Sequence, residues 1–381
     1  MVADSGKFIQ QPAGYKAFIP KDLPPSPGIS IDSEISKLLS NADHSLALLD
    51  GLSYILPNPE LFISMFVKKE AVLSSQIEGT QASLQDILEF EAGIPKENIE
   101  DVALTVNYVN ALNYGIRRLK NFPISLRLIR ELHKELLKNV RGEDKTPGEF
   151  RKTQNWIGSP GSTIQTATFI PPPPSELINL MGRLEKYFYA EPVYPLLINC
   201  ALIHAQFETI HPFLDGNGRI GRLLITVYLY WKGILHKPLL YLSFYFKKNR
   251  SEYYDKLNAI RFKSDWEGWI KFFLQGIVET SSEATETAKH IIEIHRKFYN
   301  IMIEKEIAAP SILRLFDVLF QKPMLSTKDI AQKLNVSRQT ANTLAGKLVD
   351  IGVVKEITGK QRHRVFAFKE YLDVIAEGTK V

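Results

Sequence analysis

The stretch HPFLDGNGRIGR, residues 211–222, determines how the rest of the chain is interpreted. It combines a histidine (His211), a carboxylate (Asp215), a Gly-Asn-Gly turn and two arginines (Arg219 and Arg222). Small residues before a helix let successive backbone N–H groups bind phosphate, aided by the positive end of the helix. The stretch therefore predicts a phosphate site where a helix begins.

The side chains of this stretch indicate the chemistry. Arg219 and Arg222 are three residues apart and share one helix face, which suits more than one phosphate group. Asp215 would repel phosphate unless a hard cation such as Mg²⁺ bridges the two. His211 follows an apolar helix and suits a general base that takes a proton from an attacking hydroxyl. Together these residues predict transfer from a nucleotide phosphate to a hydroxyl.

Each part of the stretch also has an ordinary structural explanation. A Gly-Asn-Gly alone is usually a turn, a histidine after a helix is usually a cap or a core group, and two arginines three apart usually form a solvated face. Phe213 is expected to anchor the loop in the core. The functional interpretation rests on all the features occurring in register.

The same residues resemble the Fic family motif H-x-F-x-D/E-G-N-G-R-x-x-R. The positions match without departure at His211, Phe213, Asp215, Gly216, Asn217, Gly218, Arg219 and Arg222. The resemblance covers most of the chain and implies a mainly α fold. This fold would have a Fic helical core with a β-hairpin flap, an N-terminal helical region and a C-terminal winged helix-turn-helix. It also implies transfer of AMP from ATP to a Ser, Thr or Tyr hydroxyl of a protein, with release of pyrophosphate.

The resemblance implies roles for single residues. His211 would be the base and Asp215 the Mg²⁺ ligand, while Gly216 to Arg219 would hold the α- and β-phosphates and Arg222 the γ-phosphate. In NRSEYYDKL, Tyr254 would lie beside the nucleotide base, although a helix-core aromatic is an equal alternative. The expected ATP-binding set is Glu78, His211, Gly216, Asn217, Gly218, Arg219, Ile220, Gly221, Arg222 and Tyr254.

A second motif, SSQIEG at 74–79, lies upstream. Ser74, Glu78 and Gly79 resemble the family's inhibitory pattern S/T-x-x-x-E-G/N. A carboxylate at a helix end could pair with Arg222 and deny it to the γ-phosphate, so that ATP binds in a misplaced position. Two alternatives stay open, since Glu78 could be a surface acid or could orient a water that removes AMP from a modified protein.

The pattern along the chain predicts four segments. They are an extended arm at 1–28, an N-terminal helical region with the inhibitory helix at 29–120, a catalytic core at 121–290, and a linker helix with a winged helix-turn-helix at 291–381. Apolar spacing predicts a helix over 59–79, and Ser83 is a predicted N-cap. The pattern of residues 148–174 predicts a hairpin with its tip at 158–161. Further helices are predicted at 174–190, 194–209, 218–233 and 251–274.

The C-terminal segment is basic and has a helix, turn, helix, hairpin pattern. Residues 326–369 carry nine Lys/Arg and three Asp/Glu, a local net charge of +6 within a total of +5. The helices would begin after Ser326 or Thr327 and after Ser337. Such a module predicts DNA contacts, with protein contact or dimerisation as the alternative. The candidate DNA-binding residues are Arg338, Gln339, Asn342, Lys360, Arg362 and Arg364.

Composition limits the remaining classes. The single cysteine, Cys200, lies in an apolar run and is expected to be a buried hydrophobe without a disulfide. No apolar run reaches the roughly 18 residues of a membrane span, and the first residues lack the apolar region of a signal peptide. We therefore expect a cytoplasmic protein with ATP and an unidentified target protein as partners. The chain itself is a candidate target, and a homodimer is left open.

Overall fold

The computed structural model describes residues 4–55, 59–95, 98–159, 161–360 and 362–380. Pro160 and Gln361, which fall in the two predicted hairpins, lie outside the described residues, as do the two chain ends. Contacts divide the chain into two units. Unit 1 comprises Met1–Ala47, Asn107–His236 and Leu242–Ser281, and unit 2 comprises Leu48–Val106, Lys237–Tyr241 and Ser282–Val381. This grouping does not follow the four predicted segments, whose boundaries stay predictions.

Unit 1 is mainly helical and holds the motif. It contains β1 (Gly6–Gln10), β2 (Lys16–Pro20), α5 (Leu126–Leu136), α6 (Pro174–Tyr189), α7 (Leu196–Ile210), α8 (Asn217–Trp231), α9 (Ser243–Lys248) and α10 (Arg250–Lys263). Three helices have residues in both units: α1 (Ser33–Ile55), α4 (Ile99–Leu119) and α11 (Trp266–Glu304). The mainly helical fold predicted from the sequence is confirmed.

Helix α7 forms the centre of unit 1. Every residue from Leu197 to Ile210 is buried, and α7 packs on α6, α8, α10 and β2. A helix that is buried on all sides lies within the core, and its polar side chains there need partners inside the protein. Its last residue therefore leads directly from the core into the motif loop at His211.

The N-terminal arm is more ordered than an extended arm. Its two strands pair antiparallel from Gly6 opposite Pro20 to Gln10 opposite Lys16. Ala17 and Phe18 are buried, and the N–H of Phe18 donates to the carbonyl of Ile170 over 3.0 Å. The sequence predicts an extended arm here, and the described residues of that arm are extended as two paired strands.

Two further predictions concern segments beside the motif. Among the described residues of the predicted hairpin at 148–174, Ile157 pairs antiparallel with Phe169 at one isolated bridge. The helix predicted over 251–274 is broken between α10 and α11, where Ser264 adopts a left-handed φ of 57°. The side chain of Asp265 accepts a hydrogen bond from the N–H of Gly268 over 2.9 Å and caps the new helix.

Unit 2 combines the upstream motif helix with the C-terminal module. It contains α2 (Pro59–Ile77), α3 (Leu84–Glu91), α12 (Pro310–Gln321), β3 (Met324–Ser326), α13 (Thr327–Leu334), α14 (Arg338–Asp350), β4 (Lys355–Glu356), β5 (Val365–Ala367) and α15 (Lys369–Ile375). Helix α2 packs on α12, and Gln76 donates to the carbonyl of Thr379 over 2.9 Å. Ser83 caps α3 with a reciprocal bond to Asp86, as predicted.

The C-terminal module has its elements where the sequence predicts them. Ser326 caps α13, Asn335 turns in the left-handed region with φ 54°, and Ser337 caps α14. The antiparallel sheet has the order β3-β5-β4. Its assignment as a winged helix-turn-helix stays a prediction. Across the described residues, no helix is long and apolar enough to cross a membrane.

Candidate active site

His211 lies where the core helix α7 ends. Its φ of 51° is left-handed, and its N–H closes the last turn on the carbonyl of Phe207. The side chain is 18% exposed, and Nδ1 lies 3.4 Å from the carbonyl of Glu208. A proton on Nδ1 that donates to this carbonyl leaves Nε2 as the basic nitrogen.

Arg151 holds the loop that carries His211. Its Nε donates to the carbonyl of His211 over 3.0 Å, and its NH2 donates to the carbonyls of Pro172 over 2.5 Å and Ile210 over 3.5 Å. Its own N–H donates to the carbonyl of Pro212 over 2.9 Å. Burial lowers the pKa of the guanidinium to about 10, so it stays charged at neutral pH. Sequence reasoning missed Arg151, since its partners are carbonyls far along the chain.

The Gly-Asn-Gly turn starts helix α8. Gly216 is the N-cap with φ 77°, and its N–H donates to Asp215 Oδ1 over 2.6 Å. The side chain of Asn217 exchanges two 2.8 Å bonds with the backbone of Phe213. Asn217 therefore locks the loop with its side chain.

Asp215 suits the predicted Mg²⁺ ligand. Its side chain is 45% exposed, and Oδ1 is 3.5 Å from the NH2 of Arg219. A single accessible carboxylate fits a cation that keeps water and takes phosphate oxygens as its other ligands. The described residues include no group of three or more His, Cys, Asp or Glu side chains able to hold a metal. A Cβ added at Gly142 would meet Oδ2 at 2.9 Å, so the loop after α5 closes one side of this carboxylate.

The two arginines are buried in the first turns of α8. Arg219 is 5% exposed and Arg222 is 2% exposed, which places two permanent positive charges near a helix N-terminus. A Cβ added at Gly221 would meet Glu208 Oε1 at 2.1 Å, so glycine allows α7 and α8 to approach. Ile220 is fully buried in the core, and its side chain is no candidate for nucleotide contact.

A second histidine, His133 on α5, joins the motif loop without having been predicted. Its Nε2 lies 3.0 Å from the carbonyl of Asp215, and its Nδ1 accepts the N–H of Gly148 over 2.8 Å. The ring stacks on Phe213 with centroids 3.8 Å apart. Burial lowers its pKa to about 4. The one feature of the local sequence that could have indicated His133 is its position on the buried face of α5.

Tyr254, the residue assigned to the nucleotide base, is half-buried. Its neighbour Tyr253 is buried in an aromatic cluster and bonds His204 Nε2 over 2.9 Å. The placement of Tyr254 beside a base stays a prediction, with the guanidinium of Arg250 centred 5.8 Å from its ring.

The upstream motif belongs to unit 2. Ser74 is fully buried in α2, while Glu78 and Gly79 are exposed in the turn that follows the helix. Gly79 has a φ of 97°, as expected of a helix stop. The inhibitory role of these residues stays a prediction.

Two family models match the chain. Residues 36–117 match the Fic/DOC family N-terminal region, and residues 123–229 match the Fic/DOC family. The second match contains the whole site of unit 1 from α5 to α8. Residues 36–117 and 123–229 are therefore a Fic/DOC family N-terminal region and a Fic/DOC family region.

Relatives and solved structures agree with this assignment. The chain is 30% identical over 235 residues to "Protein adenylyltransferase Fic" of Drosophila grimshawi, covering 58% of this chain and 43% of the relative. The protein of the same name from Culex quinquefasciatus is 30% identical over 221 residues, which are 55% of this chain and 39% of that relative. The chain thus spans less than half the length of these relatives.

Two bacterial structures share the fold. One is a Fic family protein from Desulfovibrio desulfuricans, at 17% identity and a TM-score of 0.57 over 89% of this chain and 97% of that one. The other is a Fic domain containing signaling protein from Bacteroides thetaiotaomicron, at 21% identity and a TM-score of 0.51 over 68% of this chain and 97% of that one.

Proposed function

We propose that the protein is an adenylyltransferase that moves AMP from ATP to a Ser, Thr or Tyr hydroxyl of a protein. The observation that carries this proposal is the convergence at one helix junction of His211, Asp215, the Gly216 turn and two buried arginines. The name of the relatives, protein adenylyltransferase, supports the same activity.

The reaction needs one base and an anion site. The hydroxyl oxygen attacks the α-phosphorus, the bond from that phosphorus to the β-phosphate oxygen breaks, and pyrophosphate leaves with the electron pair. His211 Nε2 takes the hydroxyl proton while Nδ1–H faces the carbonyl of Glu208. The N-terminus of α8 and the arginines at 219 and 222 stabilise charge on the phosphates.

Asp215 would hold a Mg²⁺ ion between the protein and the phosphates. When bound, the ion would neutralise phosphate charge and orient the leaving pyrophosphate. The protein's own contribution is to fix the carboxylate, through the 2.6 Å bond from the N–H of Gly216. Arg222, buried one turn beyond Arg219, would reach the terminal phosphate.

We further propose that Glu78 restrains this activity by pairing with Arg222. The support is the Ser74-x-x-x-Glu78-Gly79 pattern, with Glu78 exposed at the end of α2. A carboxylate on this guanidinium would compete with the γ-phosphate. Glu78→Gly should therefore raise AMP transfer. Faster release of AMP from a modified substrate by wild type than by Glu78→Gly would instead assign Glu78 to hydrolysis.

The test uses ATP labelled at either end. Wild type and Glu78→Gly are incubated with Mg²⁺, a cell lysate and ATP labelled at the α- or the γ-phosphate. We expect protein to take up the α-label only. His211→Ala should lose this uptake, and His290→Ala, which removes an exposed histidine of α11, is the control for that variant. Uptake of the γ-label would indicate phosphate transfer and contradict the proposal.

A second function, DNA binding, is favoured by the exposed face of the C-terminal module. Arg338, Gln339 and Asn342 are exposed on α14, and Lys360 and Arg362 are exposed between β4 and β5. Arg364 is half-buried over Phe366. This face carries much of the local positive charge and would meet phosphates and base edges.

The DNA proposal predicts a dependence on salt. The binding constant K for a DNA duplex from the region upstream of the gene that encodes this chain is measured between low and moderate salt. Arg362→Ala should reduce the slope of log K against log salt by about 1, whereas the matched charge loss Lys305→Ala should not. Absent or salt-independent binding would contradict it, and a change with ATP would link the two functions.

A further inference from the structure

We propose that His133 is a positioning residue of the nucleotide site, which fixes the peptide unit between Asp215 and Gly216 so that its N–H holds the Asp215 carboxylate at the N-terminus of α8, where the phosphates would bind. This inference rests on the proposed function and concerns a residue outside the motif at 211–222.

The hydrogen bonds of the ring determine its protonation. The backbone N–H of Gly148 can only donate, so Nδ1 of His133 must be the acceptor at 2.8 Å. The proton therefore sits on Nε2, which donates to the carbonyl of Asp215 over 3.0 Å. A neutral imidazole with both nitrogens bonded has one orientation available.

The bond to this carbonyl also directs the next N–H. In a planar trans peptide, the carbonyl of Asp215 and the N–H of Gly216 point in opposite directions. Since the carbonyl is held on the α5 side, the N–H points away from α5 and meets Asp215 Oδ1 at 2.6 Å. His133 thereby sets the direction of the N–H that holds the Asp215 carboxylate, and with it the position of that carboxylate.

Packing holds the ring in this position. His133 is fully buried and stacks on the buried Phe213 with an interplanar angle of 4°. A Cβ added at Gly216 would meet His133 Cδ2 and Nε2 at 3.6 Å. The same ring also holds Gly148, at the start of the 148–174 segment, so it joins that segment to the motif loop.

The test compares three variants in the Glu78→Gly background. His133→Leu removes both hydrogen bonds, His133→Gln keeps an amide donor and acceptor, and Ser125→Ala weakens the same helix by removing its N-cap. Calorimetry measures ADP binding with and without Mg²⁺, thermal unfolding measures stability, and α-label transfer is followed separately.

We expect His133→Leu to weaken Mg²⁺-dependent ADP binding by about 10-fold or more, because the carbonyl of Asp215 loses its donor. His133→Gln should recover most of that loss, while Ser125→Ala should lower the unfolding temperature and leave binding unchanged. Equal binding by His133→Leu and Ser125→Ala would overturn the inference. Normal ADP binding by the parent without label transfer would refute the adenylyltransferase proposal alone. Absence of ADP binding in the parent would overturn both.

A spectroscopic measurement covers the case in which His133→Leu does not fold. Protein with ¹⁵N-labelled histidine rings, assigned with the His133→Gln variant, reports the tautomer directly. The inference requires a proton on Nε2 and none on Nδ1 at neutral pH. A proton on Nδ1 would contradict it.

Discussion

The guanidinium of Arg151 donates to the carbonyl of His211 over 3.0 Å, while its backbone N–H donates to the next carbonyl, that of Pro212, over 2.9 Å. His211 has a φ of 51°, a conformation that costs a non-glycine residue about 1–2 kcal/mol. Arg151 therefore supplies part of the interaction energy that keeps the proposed base in this position.

Replacing Arg151 with lysine should impair the proposed base without removing it. Lysine keeps the charge but has no planar fork to reach the carbonyls of His211, Pro172, Ile210 and Thr153, which the arginine side chain bonds. We expect a loss of about 3 kcal/mol in the free energy of urea unfolding, because buried carbonyls lose donors. AMP transfer should fall further than ADP binding. Arg183→Lys, an exposed arginine paired with Asp22, is the control and should change neither. Equal losses in binding and transfer would argue against a specific effect on His211.

Alanine at Gly216 should damage the anion site. The φ of 77° is unfavourable for alanine by about 1–2 kcal/mol, and the new Cβ would lie 3.3 Å from Leu136 Cδ2. We expect lower stability by urea unfolding together with weaker ADP binding. Gly182→Ala in α6 has an open environment and should raise stability by about 0.5–1 kcal/mol. ADP binding at the parent level in Gly216→Ala would contradict a role for this turn.

Acid should destabilise unit 1 through His204. Burial lowers its pKa to about 3, well below the roughly 6.5 of an unfolded histidine. The unfolded chain therefore takes up a proton that the folded protein does not, so this stabilisation is complete above pH 6.5 and declines toward pH 3. The slope is about 1.4 kcal/mol per pH unit for one proton. His204→Gln should reduce the slope of unfolding free energy between pH 6 and 4 by that amount. An unchanged slope would contradict the assignment.

Cys200 should be unreactive in the folded protein. It is fully buried in α7, and burial raises its pKa well above that of a free thiol. We expect no reaction with a thiol reagent at neutral pH until denaturant unfolds the protein. Fast labelling of the native protein would contradict the central, fully packed position of α7.

Local patterns predicted most elements of the fold. Helix α2, the caps at Ser83, Ser326 and Ser337, and burial of Cys200 all follow from residues close in sequence. The left-handed break at Ser264 could not be predicted, because the apolar pattern continues across it. The β1–β2 hairpin was also missed, since its burial depends on contacts such as Phe18 with Phe169.

The motif residues at the α7–α8 junction were predicted, but their supporting residues were not. His211 does end α7, and Gly216 does begin α8. His133 and Arg151 act on this loop from 82 and 60 residues away. Such contacts require the tertiary structure, because each involves a backbone carbonyl that carries no signal in the sequence.

The central claim is that one site, with His211 as its base, transfers AMP and is restrained by Glu78. The most direct measurement is the rate of α-label incorporation into protein by wild type, Glu78→Gly, and Glu78→Gly combined with His211→Ala. We predict a higher rate in Glu78→Gly than in wild type, and a fall of about 10²–10⁴-fold when His211 is also replaced. Equal incorporation by all three proteins would contradict the account.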